Sequence, residues 1–271
     1  MTAALGRRAL LAVYTLLVVV PLLVVVGGSL KTTTALFDAP FGLPLDPTAD
    51  NYVTVLAKQD LLRVFGNSVL VASVSVPATL LLASLVAYAV ARLPGWPGRL
   101  LFAVFAAGLA VPAQAVMIPQ YVQFDRLGLR DSLLGLMLVN IVVTLPIAVF
   151  ILAGFMRTLP AELYEAAELD GAGSWAAYRR IVVPLSYPSL AATAIFLFVM
   201  HWNDLLYPLL FIDDPAKRTL PLALLDFQGE YLTDYPLLFA AVVVASTPMV
   251  LAYAFLQRYF VAGITAGAVK G

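Results

Sequence analysis

Six stretches of the chain, residues 9–30, 66–91, 100–122, 132–156, 181–211 and 236–257, hold one formal charge among them, that of Asp204. An α-helix rises about 1.5 Å per residue, so a hydrocarbon core about 30 Å thick is crossed by roughly 20 apolar residues. Each stretch is long enough. Lipid offers the backbone no hydrogen-bond partners, so every N–H and C=O in such a run must be satisfied internally. Continuous apolar runs achieve this as helices, whereas the strands of a barrel would alternate over about ten residues. The expected fold is therefore all-α: a polytopic membrane protein of six transmembrane helices forming one domain over 1–271.

Composition closes off the soluble alternatives. The chain is 62% hydrophobic and 12% charged, about half the charge of an ordinary soluble domain. There is no cysteine and one histidine, His201, which excludes a disulfide framework and thiolate or polyhistidine metal sites. The formal net charge is zero, which speaks against a nucleic-acid partner. Arg7 and Arg8 precede the first run in the manner of a secretory signal. At about 22 uncharged residues that run exceeds the roughly 7–15 of a signal core, and it is expected to stay as the first span.

The basic residues suggest an orientation. With both termini cytoplasmic, Arg7, Arg8, Arg92, Arg99, Arg157, Arg179, Arg180, Arg258 and Lys270 lie inside, in short loops beside the helix ends. That is where the positive-inside bias acts. Lys31, Lys58, Arg63, Arg126, Arg130, Lys217 and Arg218 then lie outside. The long external loop 31–66 is rich in Pro, Asp and Thr and reads as an ordered cap or a docking surface.

The loop 157–180 carries the most information. Pro160 suits a first helical turn, Glu162 and Glu165 favour the positive end of a short helix, and Gly171 and Gly173 supply a stop and a turn. A short polar helix at the membrane surface, followed by a corner back into the bilayer, is expected. At these residues the sequence resembles the permeases of ATP-driven ABC importers. Glu165-Ala166-Ala167, then Gly171, then nine residues to Ile181, and Pro184 are similar to their "EAA" signature. Val183 stands where that signature usually has Leu. The resemblance implies that Glu165, Ala166, Ala167, Asp170, Gly171, Ile181 and Pro184 couple the permease to a separate cytoplasmic ATPase. Two small alanines would let backbones approach closely, and Glu165 would offer a carboxylate to a basic or N–H-rich cleft.

Further stretches resemble the maltose-type, carbohydrate-uptake branch: Val111-Pro112-Ala113-Gln114, Ile118-Pro119, Leu127 to Ser132, His201-Trp202-Asn203-Asp204, Tyr207-Pro208-Leu209, Thr219 to Leu222, and the tail Gly263 to Gly271. The resemblance implies a second homologous permease, a homodimeric or paired ATPase below, an extracellular solute-binding protein above, and a sugar or oligosaccharide as cargo. It also implies a prokaryotic cell membrane, and a tail, with Gly267 and Lys270, that reaches the ATPase.

Asp204 is costly within a membrane unless it faces a cavity or a partner. One reading makes Gln114, Trp202, Asn203, Asp204 and Tyr207 a wall of the translocation path, since aromatic faces and amide or carboxylate groups suit a sugar. The other makes the aromatics an interfacial belt with a structural hydrogen bond. His201 reads as a hydrogen-bonded structural residue, and Pro112 and Pro119 as sources of a kink. No G-x-x-x-x-G-K-[ST] loop is present: of the lysines only Lys31 precedes Ser or Thr, and Leu30 stands where the glycine should be. ATP hydrolysis by that route therefore belongs to another polypeptide. No cofactor is expected in this subunit, with ATP and Mg²⁺ in the ATPase. A secondary transporter would predict paired intramembrane acids, and a scaffold would have no use for the spaced loop signature.

Overall fold

The computed structural model describes residues 2–58, 61–227 and 234–268, with side chains over 6–57, 61–227 and 234–254. Among the described residues every regular element is helical. Four helices are long and apolar enough to cross a membrane: Gly6–Ser29, Leu61–Arg92, Leu133–Met156 and Tyr235–Ala254. Two further pairs pass the same test but are sharply bent, giving up to six spans.

The expected third span, 100–122, is one of these pairs. Helix Trp96–Ala110 meets Ala113–Arg126 at 98°. The residue before a proline is driven out of the helical region, and Val111 is extended at φ −87°, ψ 117°. Pro112 is also extended, at φ −60°, ψ 125°, and has no N–H to continue the ladder. The expected fifth span, 181–211, is likewise interrupted. Ser174–Leu185 meets Tyr187–Trp202 at 75°, and a short helix Leu206–Phe211 follows a break. Pro188 has no N–H to give the carbonyl of Pro184, four residues earlier. Just before the bend, Tyr178–Val182 forms a widened π-helical turn.

Contacts divide the chain into two compact units: Met1–Phe65 with Thr219–Pro248, and Gly66–Arg218 with Met249–Gly271. In the first unit, helix Thr2–Ser29 leaves its side chains over residues 6–23 exposed, with Leu10 71% and Leu17 70% exposed. Gly28 passes so near Phe239 that a Cβ there would lie 2.6 Å from the ring, a close approach that glycine permits. The following loop is pinned by polar contacts. Lys31, 3% exposed, donates from Nζ to the carbonyls of Ala39 at 2.7 Å and Gly42 at 2.6 Å. The Asn51 amide donates to the carbonyls of Ser29 at 2.9 Å and Lys31 at 2.8 Å. The loop is thus ordered, with Phe41, Leu43 and Leu45 exposed at its surface.

The second unit is built on Leu133–Met156, against which Trp96–Ala110, Tyr187–Trp202 and Leu206–Phe211 pack. Its core joins Ala83, Ala87 and Val90 to Ala148, Leu152, Ala153, Met156, Val182 and Leu197. Hydrocarbon gives little drive for helices to associate, so close van der Waals packing by small residues takes its place. Buried hydroxyls bond back to their own helices: Ser75 Oγ to the Val71 carbonyl at 2.6 Å, and Thr193 Oγ1 to that of Ser189 at 2.8 Å.

Candidate functional site

The loop after Met156 folds as the short helix Glu162–Leu169. Pro160 sits two residues ahead of it, not in the first turn, and its carbonyl accepts from the Leu163 N–H at 3.3 Å. At the other end Ala172 N–H bonds to the Ala167 carbonyl at 2.8 Å and Gly171 N–H to that of Glu168 at 3.0 Å. This pair of bonds is a Schellman closure, which needs a left-handed residue. Gly171 supplies it at φ +74°.

One face of this helix looks inward. Tyr164 and Ala167 are buried, and burial raises the Tyr164 phenol above its ordinary pKa, keeping it neutral. The other face is open: Glu165, Ala166, Asp170 and Gly171 are exposed. Of the two alanines expected to let backbones approach closely, Ala167 is buried within this chain and Ala166 is open. Ile181 is half-buried and Pro184 exposed, beyond the corner. Leu163 on the same helix is also exposed, and two large apolar residues stand out further on the open surface, Leu169 at 89% and Trp175 at 62% exposed. Neither stands out in sequence, because one apolar residue in a polar loop has no periodicity to mark its face.

Arg92, at the end of helix Leu61–Arg92, holds the inward face. Its Nη2 donates to Glu168 Oε1 at 2.5 Å, and its guanidinium lies 4.4 Å from the centre of the Tyr164 ring. Both groups are partly exposed, so the ion pair contributes on the order of 0.2–1 kcal/mol.

A second cluster surrounds a cavity of about 180 Å³ lined by Gln114, Asn140, Thr144, His201, Asp204 and Tyr207, with Met117 and Met200 among its apolar walls. The bend at Val111–Pro112 brings Gln114 to it, and the break after Trp202 brings Asp204. Thr144 donates its one proton to the Asn140 carbonyl at 2.7 Å. In its 3.1 Å contact with His201 Nε2 it must therefore accept, so the imidazole donates from Nε2. His201 Nδ1 and Asp204 Oδ2 are buried without a hydrogen-bond partner. Asp204 Oδ1 accepts from the Tyr207 backbone N–H at 3.3 Å, and the Tyr207 hydroxyl donates to Gln120 Oε1 at 2.9 Å.

Of the residues expected along a translocation path, Gln114, Asp204 and Tyr207 share this cavity. Two do not line it. Trp202 is buried against Phe198, ring centres 5.5 Å apart. The exposed Asn203 amide donates to the Val199 carbonyl at 2.9 Å and to Met249 Sδ at 3.0 Å. Asn140 and Thr144 enter the cluster unannounced, since single polar residues in apolar helices carry no spacing signal, whereas Gln120 lies on the same proline-bearing helix as Gln114.

Residues 75–266 match the family described as "binding-protein-dependent transport system inner membrane component". The chain belongs to this family. It is a multi-pass permease subunit of the ABC-transporter type. The permease is 37% identical to the putative ABC transporter permease protein ORF2 of Caldicellulosiruptor sp. strain Rt8B.4, over 96% of this chain and 95% of that one. It is 35% identical to the diacetylchitobiose uptake system permease protein of Streptomyces coelicolor, over 97% and 88%. Its fold matches a bacterial ABC transporter involved in the import of the acidic polysaccharide alginate, with a TM-score of 0.86, 20% identity and 96% coverage of both chains.

A third cluster of the permease ties two loops together. Asp131, at φ +48°, accepts at Oδ1 from the N–H groups of Asp213 at 3.1 Å and Asp214 at 3.0 Å. Its Oδ2 accepts from Lys217 Nζ at 2.9 Å. The Asp214 N–H first, then the Lys217 ammonium, hold this carboxyl below its ordinary pKa. Arg130 pairs with Asp213 alongside, and Asn67 Nδ2 donates to the carbonyls of Ala216 at 3.0 Å and Arg218 at 2.9 Å. In the tail, Gly267 is described as backbone within helix Tyr235–Ala268, and Lys270 lies outside the described residues.

Proposed function

We propose that this permease imports a sugar or oligosaccharide, driven by a separate ATPase on which the helix Glu162–Leu169 docks. The observation that carries the reading is the two-faced geometry of that helix. Tyr164 and Ala167 bind it to the core, while Glu165, Ala166, Asp170 and Leu169 face outward. A carboxylate-bearing face with one apolar tip suits a cleft lined by basic or N–H groups around a hydrophobic floor. ATP and Mg²⁺ then act in the ATPase. The rest of the reading follows the family: both units act as one permease domain beside a second permease, a binding protein delivers cargo, and both termini are cytoplasmic.

The cavity around Gln114, Asp204 and Tyr207 forms part of the path in this reading. Its amide, carboxylate and imidazole groups beside apolar walls suit a ligand with many hydroxyls and apolar ring faces. Support for a sugar also comes from the diacetylchitobiose uptake permease, a relative by sequence. The test is uptake into vesicles of a panel of labelled mono- to trisaccharides, with and without internal ATP. One sugar should be taken up only with ATP and the ATPase present, and Asp204→Ala should lower that uptake while the complex still assembles. Uptake without ATP, or Asp204→Ala kinetics equal to wild type, overturns the respective part.

A further inference from the structure

The short helix and the span that follows it are joined through Gly171-Ala172-Gly173. A Cβ at either glycine would find nothing within 4 Å, so no side-chain packing backs these two positions and the corner itself is held by the backbone bonds at Gly171 and Ala172 alone. If the helix is pushed by an ATPase, such a joint absorbs the displacement unless something braces it from outside. The C-terminal end of helix Leu61–Arg92 does so on both sides. Ser84, Tyr88 and Arg92 are four residues apart and lie on one helical face.

Arg92 grips the near side of the joint, through Glu168 at 2.5 Å and the Tyr164 ring at 4.4 Å. Tyr88 and Ser84 grip the far side. The Tyr88 hydroxyl donates to the Ser174 carbonyl at 3.1 Å, and its ring lies 5.4 Å from that of Tyr178. Ser84 Oγ meets the Tyr178 hydroxyl at 2.7 Å. Tyr88, Arg92, Tyr164 and Glu168 line one cavity of about 150 Å³ together with Ala172 and Gly173 of the joint.

We infer that Ser84, Tyr88 and Arg92 are positioning residues that bridge the glycine joint and carry motion of the coupling helix into the second span. This rests on the reading that Glu162–Leu169 docks on an ATPase. Displacement then enters the membrane by two routes, through the chain into Tyr187–Trp202 and through the rungs into Leu61–Arg92. Breaking the near rung lets the helix pivot about Gly171–Gly173 while its outward face stays intact. ATP is still hydrolysed, and less of the motion reaches the spans.

The test is a double-mutant cycle of Arg92→Gln and Glu168→Gln in the assembled complex. The native chain has no cysteine, so Val143→Cys, on the cavity wall, is the one thiol of the permease, and its labelling is read on the permease band after the partners are separated by denaturing electrophoresis. The readout is the change in its maleimide labelling rate when the complex is trapped with ATP and vanadate. Each single variant should retain the ATPase and its hydrolysis but lower the labelling change about threefold, the scale of an exposed ion pair. The double variant should be no worse than either single. Tyr88→Phe, which removes only the bond to Ser174, should act in the same direction and serves if the charge variants assemble poorly. A full labelling change in both singles and in Tyr88→Phe overturns the inference. Failure of the docking reading looks different: the wild-type complex itself fails to hold an ATPase, or Glu165→Lys holds it unchanged.

Discussion

Replacing Gly171 isolates what the left-handed corner of the coupling loop contributes. The residue has φ +74°, and a Cβ added there meets nothing within 4 Å. Crowding therefore plays no part, and the penalty is that of the backbone alone, about 1–2 kcal/mol for an L-residue in the left-handed region. The alternative is to let the corner open. That forfeits the bonds Ala172 N–H to Ala167 O and Gly171 N–H to Glu168 O, about 0.5–1.5 kcal/mol each. The two costs are comparable, so Gly171→Ala leaves the corner partly open, with the closed form weakened by a factor of roughly 5–30. The assay is titration of the ATPase onto detergent-solubilised permease for a graded series at this position. Asn, which tolerates the left-handed region, should lose least; Ala and Leu should lose similar amounts; β-branched Val should lose most. A loss that instead grows with side-chain volume, Leu far beyond Ala and Val, would refute the reasoning, because it would reveal a partner surface pressed against Gly171.

Two other sites yield predictions of different kinds. Lys31→Met leaves the carbonyls of Ala39 and Gly42 without their ammonium donor and should destabilise the loop by about 1–3 kcal/mol; an unchanged thermal midpoint would contradict this. Asp131 has a depressed folded pKa, so its stabilisation of the 211–218 loop is complete above its ordinary value of 3.8 and is lost as pH falls through the lower folded value. Hydrogen exchange at the Asp213 and Asp214 amides, corrected for intrinsic rate, should therefore accelerate only on the acid side of 3.8, whereas Asp131→Ala should accelerate it at every pH.

The apolar runs and the loop signature were legible because each is a local pattern. Twenty uncharged residues announce a helix, and Glu165 to Pro184 holds its spacing in sequence. Even the breaks had local causes: Pro112 stands where the third run bends by 98°, and Pro188 just after the bend of 75° in the fifth. What escaped was the pairing of distant residues. Arg92 and Glu168 are 76 positions apart, and Thr144 and His201 are 57 apart. Nothing in either neighbourhood names the other. The inward turn of Ala167 escaped for a related reason. An alanine pair in a helix of eight residues does not reveal which member faces the core until the core is in place.

The most direct test of the account is purification of the tagged permease from its native membrane in mild detergent, with partners identified and ATPase activity measured. The account predicts recovery of an ATPase and a second permease with the wild-type chain. It predicts loss of the ATPase, at normal permease yield, when Glu165→Lys and Gly171→Val are introduced together. A wild-type chain recovered at full yield, alone and without ATPase activity, would contradict it.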